Sequence, residues 1–165
     1  MAKSSSLTKG KSIFIIDALL IPVFILLTYT GLKLHVADHV DNHEVWAFWA
    51  HWHIVVGIVT LVLGYLHVKA HWVWYKGLIK NGAGKKSKVT IVISILFVIL
   101  VVTGIILVFF IEGGNSSVGL WHYRLSLLMV ALLIAHTVKR FPIMMKGLKN
   151  KRKTEKSKKQ QEVVA

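Results

Sequence analysis

Long apolar stretches alternate with short polar segments along this chain. Four of the apolar stretches cover approximately residues 13–34, 46–68, 89–111 and 119–138. At a rise of ~1.5 Å per residue, each is long enough to cross a hydrocarbon core of ~30 Å as an α-helix. The third, which contains IVISILFVILVVTGIILVFFI, is apolar on every helical face and therefore unlike a helix of a soluble bundle. The pattern predicts an all-α, integral membrane four-helix bundle.

The charged residues are separated from these stretches and indicate an orientation. The chain has a formal net charge of +14 although 55% of its residues are hydrophobic. Basic residues occupy the N-terminal segment 1–11, the connection between the second and third spans, and the segment 141–165. The other two connections, VADHVDNHE and EGGNSSVG, contain no Lys or Arg. By the positive-inside rule, both termini are expected in the cytoplasm, around a bundle formed by residues 12–140.

The basic segment 141–165 is predicted to be a disordered cytoplasmic tail, with span four ending near Pro142. Its charge is interpreted mainly as a topology determinant, with attraction to anionic lipid as the alternative. NGAGKK, residues 81–86, is typical of a flexible turn. The chain has no cysteine, which excludes iron–sulfur clusters, thiolate zinc sites and covalently attached c-type haem.

The second and fourth spans share a histidine pattern. WHIVVGIVTLVLGYLH places His53 and His67 fourteen residues apart, and WHYRLSLLMVALLIAH places His122 and His136 at the same interval. Thr-Gly precedes both copies, and the related segments YKGLIKN and MKGLKN follow them. These matches predict an internal repeat of two helix pairs.

Fourteen residues correspond to about four helical turns, so the two histidines of each span share one face, about 21 Å apart along the axis. Spans two and four run in the same direction across the membrane. If their faces meet, His53 pairs with His122 near the outer surface, and His67 pairs with His136 near the inner surface.

Two facing imidazoles suit the two axial positions of a haem iron. Structural zinc would require four clustered ligands, which one pair does not supply. Gly57 and Gly64 are expected on the histidine face of span two, where the absence of a side chain lets a flat macrocycle approach. Arg124 is a candidate partner for a haem propionate, with extension toward lipid headgroups as an equal alternative.

This arrangement resembles the di-haem cytochromes b. In size, in the Thr-Gly motif of span one and in the H-x3-HW ending of span two, it is most similar to a family of small bacterial membrane cytochromes. That family is linked to flavin-dependent extracytoplasmic electron transfer. The resemblance covers roughly residues 12–140, and its specific part is four histidines and a few glycines. It implies two non-covalent b-type haems in the inner membrane.

The remaining histidines and Asp17 leave alternatives open. His35 and His71 are possible substitute ligands, and His51 is interpreted as an interfacial residue beside tryptophans. The stripe His35, His39 and His43 is interpreted as a solvated face rather than a metal site. Asp17 is expected to pair with a cytoplasmic Lys or Arg, with proton transfer to a quinone as the alternative.

The predicted function is electron transfer across the membrane, because two six-coordinate irons leave no open position for a substrate. No catalytic residue is assigned, and an electron-transfer subunit is favoured over a stand-alone enzyme. A quinol is a possible donor and a flavoprotein or another redox subunit a possible partner; no nucleic-acid partner is expected. The alternatives are a histidine-rich metal-ion or proton transporter, and a membrane anchor without redox chemistry.

Overall fold

The computed structural model describes residues 2–39, 42–82, 84, 88–111 and 116–164. Within these residues the chain is entirely helical, with no strand. The five helices are α1 (Ala2–Ala37), α2 (His43–Ala70), α3 (Trp72–Asn81), α4 (Lys88–Phe109) and α5 (Ser117–Val164). The all-α prediction is therefore confirmed. Asp41, Lys85, Lys86 and Glu112, which belong to the predicted charge pattern, lie outside the described residues.

Four helical segments are long and apolar enough to cross a membrane, as the sequence predicts. They are Ser12–Ala37, His43–Ala70, Lys88–Phe109 and Ser117–Pro142. The α4 segment is rich in Val and Ile, which have modest helix propensity in water. In lipid, a helix satisfies every backbone hydrogen bond within the segment, and this requirement outweighs that propensity.

Most large apolar side chains of these segments face outward. Phe109 of α4 is 74% exposed and Ile134 of α5 is 61% exposed. The buried side chains are few and small or medium in size; within the described residues they include Val56, Leu96 and Met129. This distribution suits contact with lipid and, together with the four apolar segments, indicates a multi-pass membrane protein.

The helices pack mainly as two neighbouring pairs, α1 with α2 and α4 with α5. Among the contacts that join the first three helices to α4 and α5 are the following three. His35 of α1 stacks on Tyr123 of α5, with ring centroids 3.7 Å apart. The Tyr75 hydroxyl of α3 lies 3.0 Å from Ser94 Oγ of α4. The third contact brings Gly64 of α2 against the Phe97 ring of α4.

Helix α2 begins and ends at recognisable signals. Asn42 caps its start by accepting a hydrogen bond from the Val45 backbone N–H. At its end, His71 departs from helical geometry, and the amphipathic helix α3 follows. The sequence pattern places residues 72–81 in the connection between the second and third spans, whereas the structure forms a helix there. Gly82 then ends α3 with a positive φ of 75°.

Helix α5 extends beyond the end that the sequence predicts. Pro142 lies inside α5, and the helical backbone continues through the basic segment to Val164. The lysine, glutamate and glutamine residues of that segment are good helix formers, which explains how a helix can form where composition alone predicts disorder.

The contact between Gly64 and Phe97 predicts a packing defect on substitution. A Cβ at residue 64 would lie 2.8 Å from Phe97 Cζ, closer than van der Waals contact. We expect Gly64→Ala to lower the free energy of unfolding by about 1–2 kcal/mol, measured by denaturant titration in detergent micelles. Adding Phe97→Leu to the Gly64→Ala variant should recover part of the lost free energy of unfolding.

Gly77→Ala is the matched control, since a Cβ there meets no atom within 4 Å. It should unfold at the same denaturant concentration as the unaltered chain or at a higher one. Equal stability of Gly64→Ala and Gly77→Ala would contradict the assigned contact.

Candidate functional site

The structure brings His53 of α2 and His122 of α5 together. Their ring centroids are 6.4 Å apart and their planes are perpendicular. Each histidine is also held by a threonine of the preceding helix. His53 Nδ1 lies 3.2 Å from Thr30 Oγ1, and His122 Nδ1 lies 2.8 Å from Thr103 Oγ1. We name this group, His53, His122, Thr30 and Thr103, the Thr–His site.

The threonine hydrogen bonds favour a proton on Nδ1 of each ring. A hydroxyl has one hydrogen, and each threonine donates it within its own helix. Thr30 donates to the Leu27 carbonyl at 3.0 Å, and Thr103 donates to the Ile99 carbonyl at 2.8 Å. The hydroxyl oxygen is then left to accept from the imidazole Nδ1–H. Both rings therefore have an unprotonated Nε2, whose lone pair is available to bind a metal ion.

Glycines next to these threonines leave space for the rings. A Cβ at Gly31 would lie 3.0 Å from His53 Cε1, and one at Gly104 would lie 3.6 Å from His122 Cε1. A side chain at Gly31 would therefore push the His53 ring away from Thr30. The Thr-Gly pairs, which the sequence analysis treats as part of the internal repeat, thus position the imidazoles.

The ring separation fits two ligands of one metal ion. Metal–imidazole bonds are about 2 Å long, so two rings on opposite sides of an ion have centroids about 6 Å apart. The observed 6.4 Å agrees with that value. Gly31 and Gly104 admit the imidazole rings themselves, because a Cβ at either position would contact the ring.

A second polar group lies on the other side of the apolar segments. His67 Nδ1 is 2.8 Å from Asp17 Oδ1, and His71 Nε2 is 3.4 Å from the same carboxylate. We name Asp17, His67 and His71 the Asp–His site. One ligand atom from each residue lies within 4.8 Å of the others, so a metal ion could be held there. Asp17 thus binds histidines, where the sequence had favoured a Lys or Arg partner.

The expected pairing of His67 with His136 is not seen as a ring contact among the described residues. The two histidines are close enough to interact electrostatically, and Asp17 and His71 lie within the same range of His136. The physical reason is the Asp17 carboxylate, which holds the His67 ring toward α1. Among the described residues, His136 makes no hydrogen bond that would orient its ring in the same way.

Gly57, Gly64 and Arg124, which the sequence predicts near a haem, each contact different residues. Gly57 is open, since a Cβ there would meet only Leu27 Cδ1, at 3.9 Å. Gly64 instead faces the Phe97 ring. The Arg124 guanidinium lies over the Trp121 ring, 5.6 Å from its centroid, a cation–π contact on the exposed surface. The roles of these three residues toward a haem stay predictions.

The histidine stripe of the α1–α2 connection is divided between two helices. His35 belongs to α1, His39 follows its end, and His43 begins α2 and stacks on Trp46. The described residues show no three-residue metal group in this region. His51 lies beside Trp52, as an interfacial histidine would.

Sequence reasoning missed two contributors to these sites, the hydroxyls of Thr30 and Thr103. A usable signal was present, because a polar threonine recurs before both histidine spans. Its interpretation required the distance between helices, since Thr30 and His53 are separated by 23 positions and Thr103 and His122 by 19.

The fold and the sites define a helical, multi-pass membrane protein with histidines clustered between its spans. Comparison with known proteins does not narrow this class: no family model, curated protein or solved structure matches the chain.

The Thr103–His122 hydrogen bond predicts a measurable coupling energy. Thr103→Val removes the hydroxyl and leaves the half-buried Nδ1–H without its partner. We expect a loss of about 1 kcal/mol in the free energy of unfolding, and most of that loss should disappear in the His122→Ala background. The coupling energy is obtained from the unfolding free energies, in detergent, of the Thr103→Val variant, the His122→Ala variant and the double variant.

Thr28→Val provides the reference, because the Thr28 hydroxyl donates to the Phe24 carbonyl of its own helix. This variant should show no coupling to His122. A coupling energy of zero for Thr103 would disprove the proposed orientation of the ring.

Proposed function

We propose that the protein is a b-type di-haem cytochrome that carries electrons across the membrane. The observation that carries this proposal is the Thr–His site. Two imidazoles lie 6.4 Å apart between α2 and α5, and hydrogen bonds to threonine leave each Nε2 free as a ligand. The resemblance to small bacterial di-haem cytochromes, stated from the sequence motifs, agrees with this chemistry.

The first haem would be bound by His53 and His122. Thr30 and Thr103 hold the rings in the ligating tautomer, and such outer partners normally strengthen a metal–histidine bond. Because residue 31 is glycine, no side chain there displaces the His53 ring. These residues are preorganised, so little ordering is left to occur when a metal is bound.

The second haem would use His67 and His136. Asp17 accepts the Nδ1–H of His67 at 2.8 Å, so Nε2 is the nitrogen of that ring that would bind a metal ion. In the proposed function, the His136 ring turns toward His67, with which it already interacts electrostatically. A haem held by two histidines would supply one-electron chemistry and would leave no open position for a substrate.

The internal repeat supplies the two halves of the Thr–His site. In each helix pair, a threonine of the first helix accepts from a histidine of the second, Thr30 with His53 and Thr103 with His122. The pairs α1–α2 and α4–α5 are also the main packing units. We infer that these pairs are the two copies of the repeat.

In the proposed orientation, the protein lies in the inner membrane and both of its termini are in the cytoplasm. It rests on the distribution of Lys and Arg. The Thr–His site then lies near the outer surface and the Asp–His site near the inner surface. A quinol or another reductant would supply electrons, and a flavoprotein or other extracytoplasmic redox protein would receive them.

One observation favours a second function, transport of a metal ion or proton. Asp17, His67 and His71 form a compact set of metal-binding side chains between apolar helices, which is typical of an ion pathway. In this alternative the histidines act without haem. An anchor without redox chemistry has no comparable observation in its favour.

An optical spectrum distinguishes these functions. We expect purified protein to show sharp haem b bands in the reduced-minus-oxidised difference spectrum, with two haems per chain by extraction. His53→Ala and His122→Ala should each remove the same haem, and His67→Ala and His136→Ala the other. Protein that lacks haem bands and binds zinc would support transport instead.

His51→Ala and His39→Ala are the matched controls, because His51 contacts Trp52 and His39 bonds to the His35 carbonyl, neither of which is a proposed ligand. Each should retain two haems. Loss of a haem in either control, with no loss in a ligand variant, would disprove the assignment of ligands.

The orientation is tested by labelling, which the absence of native cysteine makes specific. Glu44 and Lys80 are both exposed and lie near opposite ends of the apolar segments. In intact cells, a membrane-impermeant maleimide should label Glu44→Cys and leave Lys80→Cys unlabelled until the cells are opened. The reverse result would invert the orientation and leave the haem assignment untouched.

A further inference from the structure

Helix α3 differs in pattern as well as in length from the four segments that are long enough to cross a membrane. Its ten residues, WVWYKGLIKN, place most apolar side chains on one side of the helix. At ~100° per residue, Trp72, Tyr75 and Ile79 fall within an arc of about 60°. Lys76 and Lys80 occupy the adjoining side. An apolar side next to a basic one is typical of a helix that lies at a membrane surface.

The contacts of α3 place it beside the end of the bundle. Helices α2 and α4 are successive membrane-length helices that run in opposite directions, with Gly64 facing Phe97. Ser94, three residues before Phe97, is therefore level with the last turn of α2. A straight continuation of α2 would carry Tyr75 about 12 Å beyond that level. Because the Tyr75 hydroxyl lies 3.0 Å from Ser94 Oγ instead, α3 bends back toward the bundle where α2 ends.

One side of α3 is exposed although several of its side chains are apolar. Trp72 is 50% exposed and Ile79 is 81% exposed, next to the exposed Lys76 and Lys80. Tyr75 is half-buried, and its hydroxyl contacts α4. Helix α3 is therefore fixed to the bundle by one side and presents apolar and basic side chains beside it. We name Trp72, Ile79, Lys76 and Lys80 the α3 surface.

The charge around the α3 surface is positive. No Asp or Glu occurs in the sequence between Glu44 and Glu112. Asp17, which lies near this end of the bundle, is bonded to the two histidines of the Asp–His site. Among the described residues, neither lysine of the α3 surface has a carboxylate partner. Two exposed ammonium groups without an acidic neighbour suit an anionic partner from outside the chain.

We propose that the α3 surface binds anionic phospholipid of the membrane in which the protein lies. Trp72 and Ile79 enter the boundary between headgroups and acyl chains, where tryptophan is favoured. Lys76 and Lys80 bind the phosphates of anionic headgroups. The bilayer is the partner because α3 begins two residues after α2 ends and bends back beside the spans. This inference depends neither on haem nor on the direction in which the chain crosses the membrane.

The first experiment measures where α3 lies in a bilayer. The chain has no native cysteine, so a polarity-sensitive fluorophore on Ile79→Cys reports that position alone. The full-length protein is placed in nanodiscs of phosphatidylcholine and phosphatidylglycerol. We expect lipids that carry a spin label near the headgroup to quench this fluorophore, and aqueous iodide to have little effect.

Asn81→Cys is the matched position, because Asn81 is exposed and lies about 160° around α3 from residue 79. A fluorophore there should be quenched by iodide and much less by the spin-labelled lipids. Equal quenching of both positions by iodide would mean that α3 does not lie on the lipid, and the inference would be wrong. That result would leave the α3 surface to a soluble partner.

The second experiment tests selectivity for the charge of the lipid. Quenching at Ile79→Cys is compared between spin-labelled phosphatidylglycerol and spin-labelled phosphatidylcholine. Lys76→Gln together with Lys80→Gln should lower the preference for phosphatidylglycerol by about fivefold for each lysine removed. Lys76→Arg with Lys80→Arg keeps both charges and should keep the preference. An unchanged preference in the glutamine variant, or its loss in the arginine variant, overturns the inference.

Lys139→Gln with Arg140→Gln is the control for charge. It removes the same charge from exposed residues of α5, near the end of the segment Ser117–Pro142. The preference measured at residue 79 should not change, and a loss equal to that of the α3 variant would contradict the inference by showing a general effect of charge. None of these variants alters a proposed haem ligand, so the optical spectrum of each sample tests the proposed function separately.

Discussion

An imidazole between apolar helices must find a partner for its N–H, and that requirement governs the arrangement of this bundle. An unpaired polar group in a lipid-facing protein costs several kcal/mol. Three histidines find such a partner on a neighbouring helix. His53 pairs with Thr30, His122 with Thr103, and His67 with Asp17. With the proton on Nδ1, one polar contact both joins two helices and leaves Nε2 free of that contact.

The rest of the packing is consistent with that constraint. The described part of the chain has few buried side chains, and its outward surface is apolar. Because lipid is as apolar as the side chains, there is no strong hydrophobic force between the helices. Polar contacts and close-packed glycines then contribute more of the specificity. Gly31 illustrates this: its missing side chain lets the His53 ring reach Thr30.

The two sites use the same principle with different acceptors. A threonine hydroxyl is neutral and has already given its hydrogen to its own helix, as Thr103 does to Ile99. The Asp17 carboxylate carries a full charge and is shared by His67 and His71. The same side chain, histidine, is thus given different electrostatic surroundings at the two sites without a change of fold.

The sequence by itself determined the helical class, the four apolar segments and the histidine interval, because each depends on periodicity and length along one chain. Only the tertiary structure decided the partners. The bond from His67 to Asp17 joins residues 50 positions apart, so no spacing rule could choose it over a Lys or Arg partner. Likewise, Gly64 faces Phe97 rather than open space because of the helix that packs beside it. A histidine's position on a helix is a local property, whereas the group that accepts its proton is decided by distances between helices.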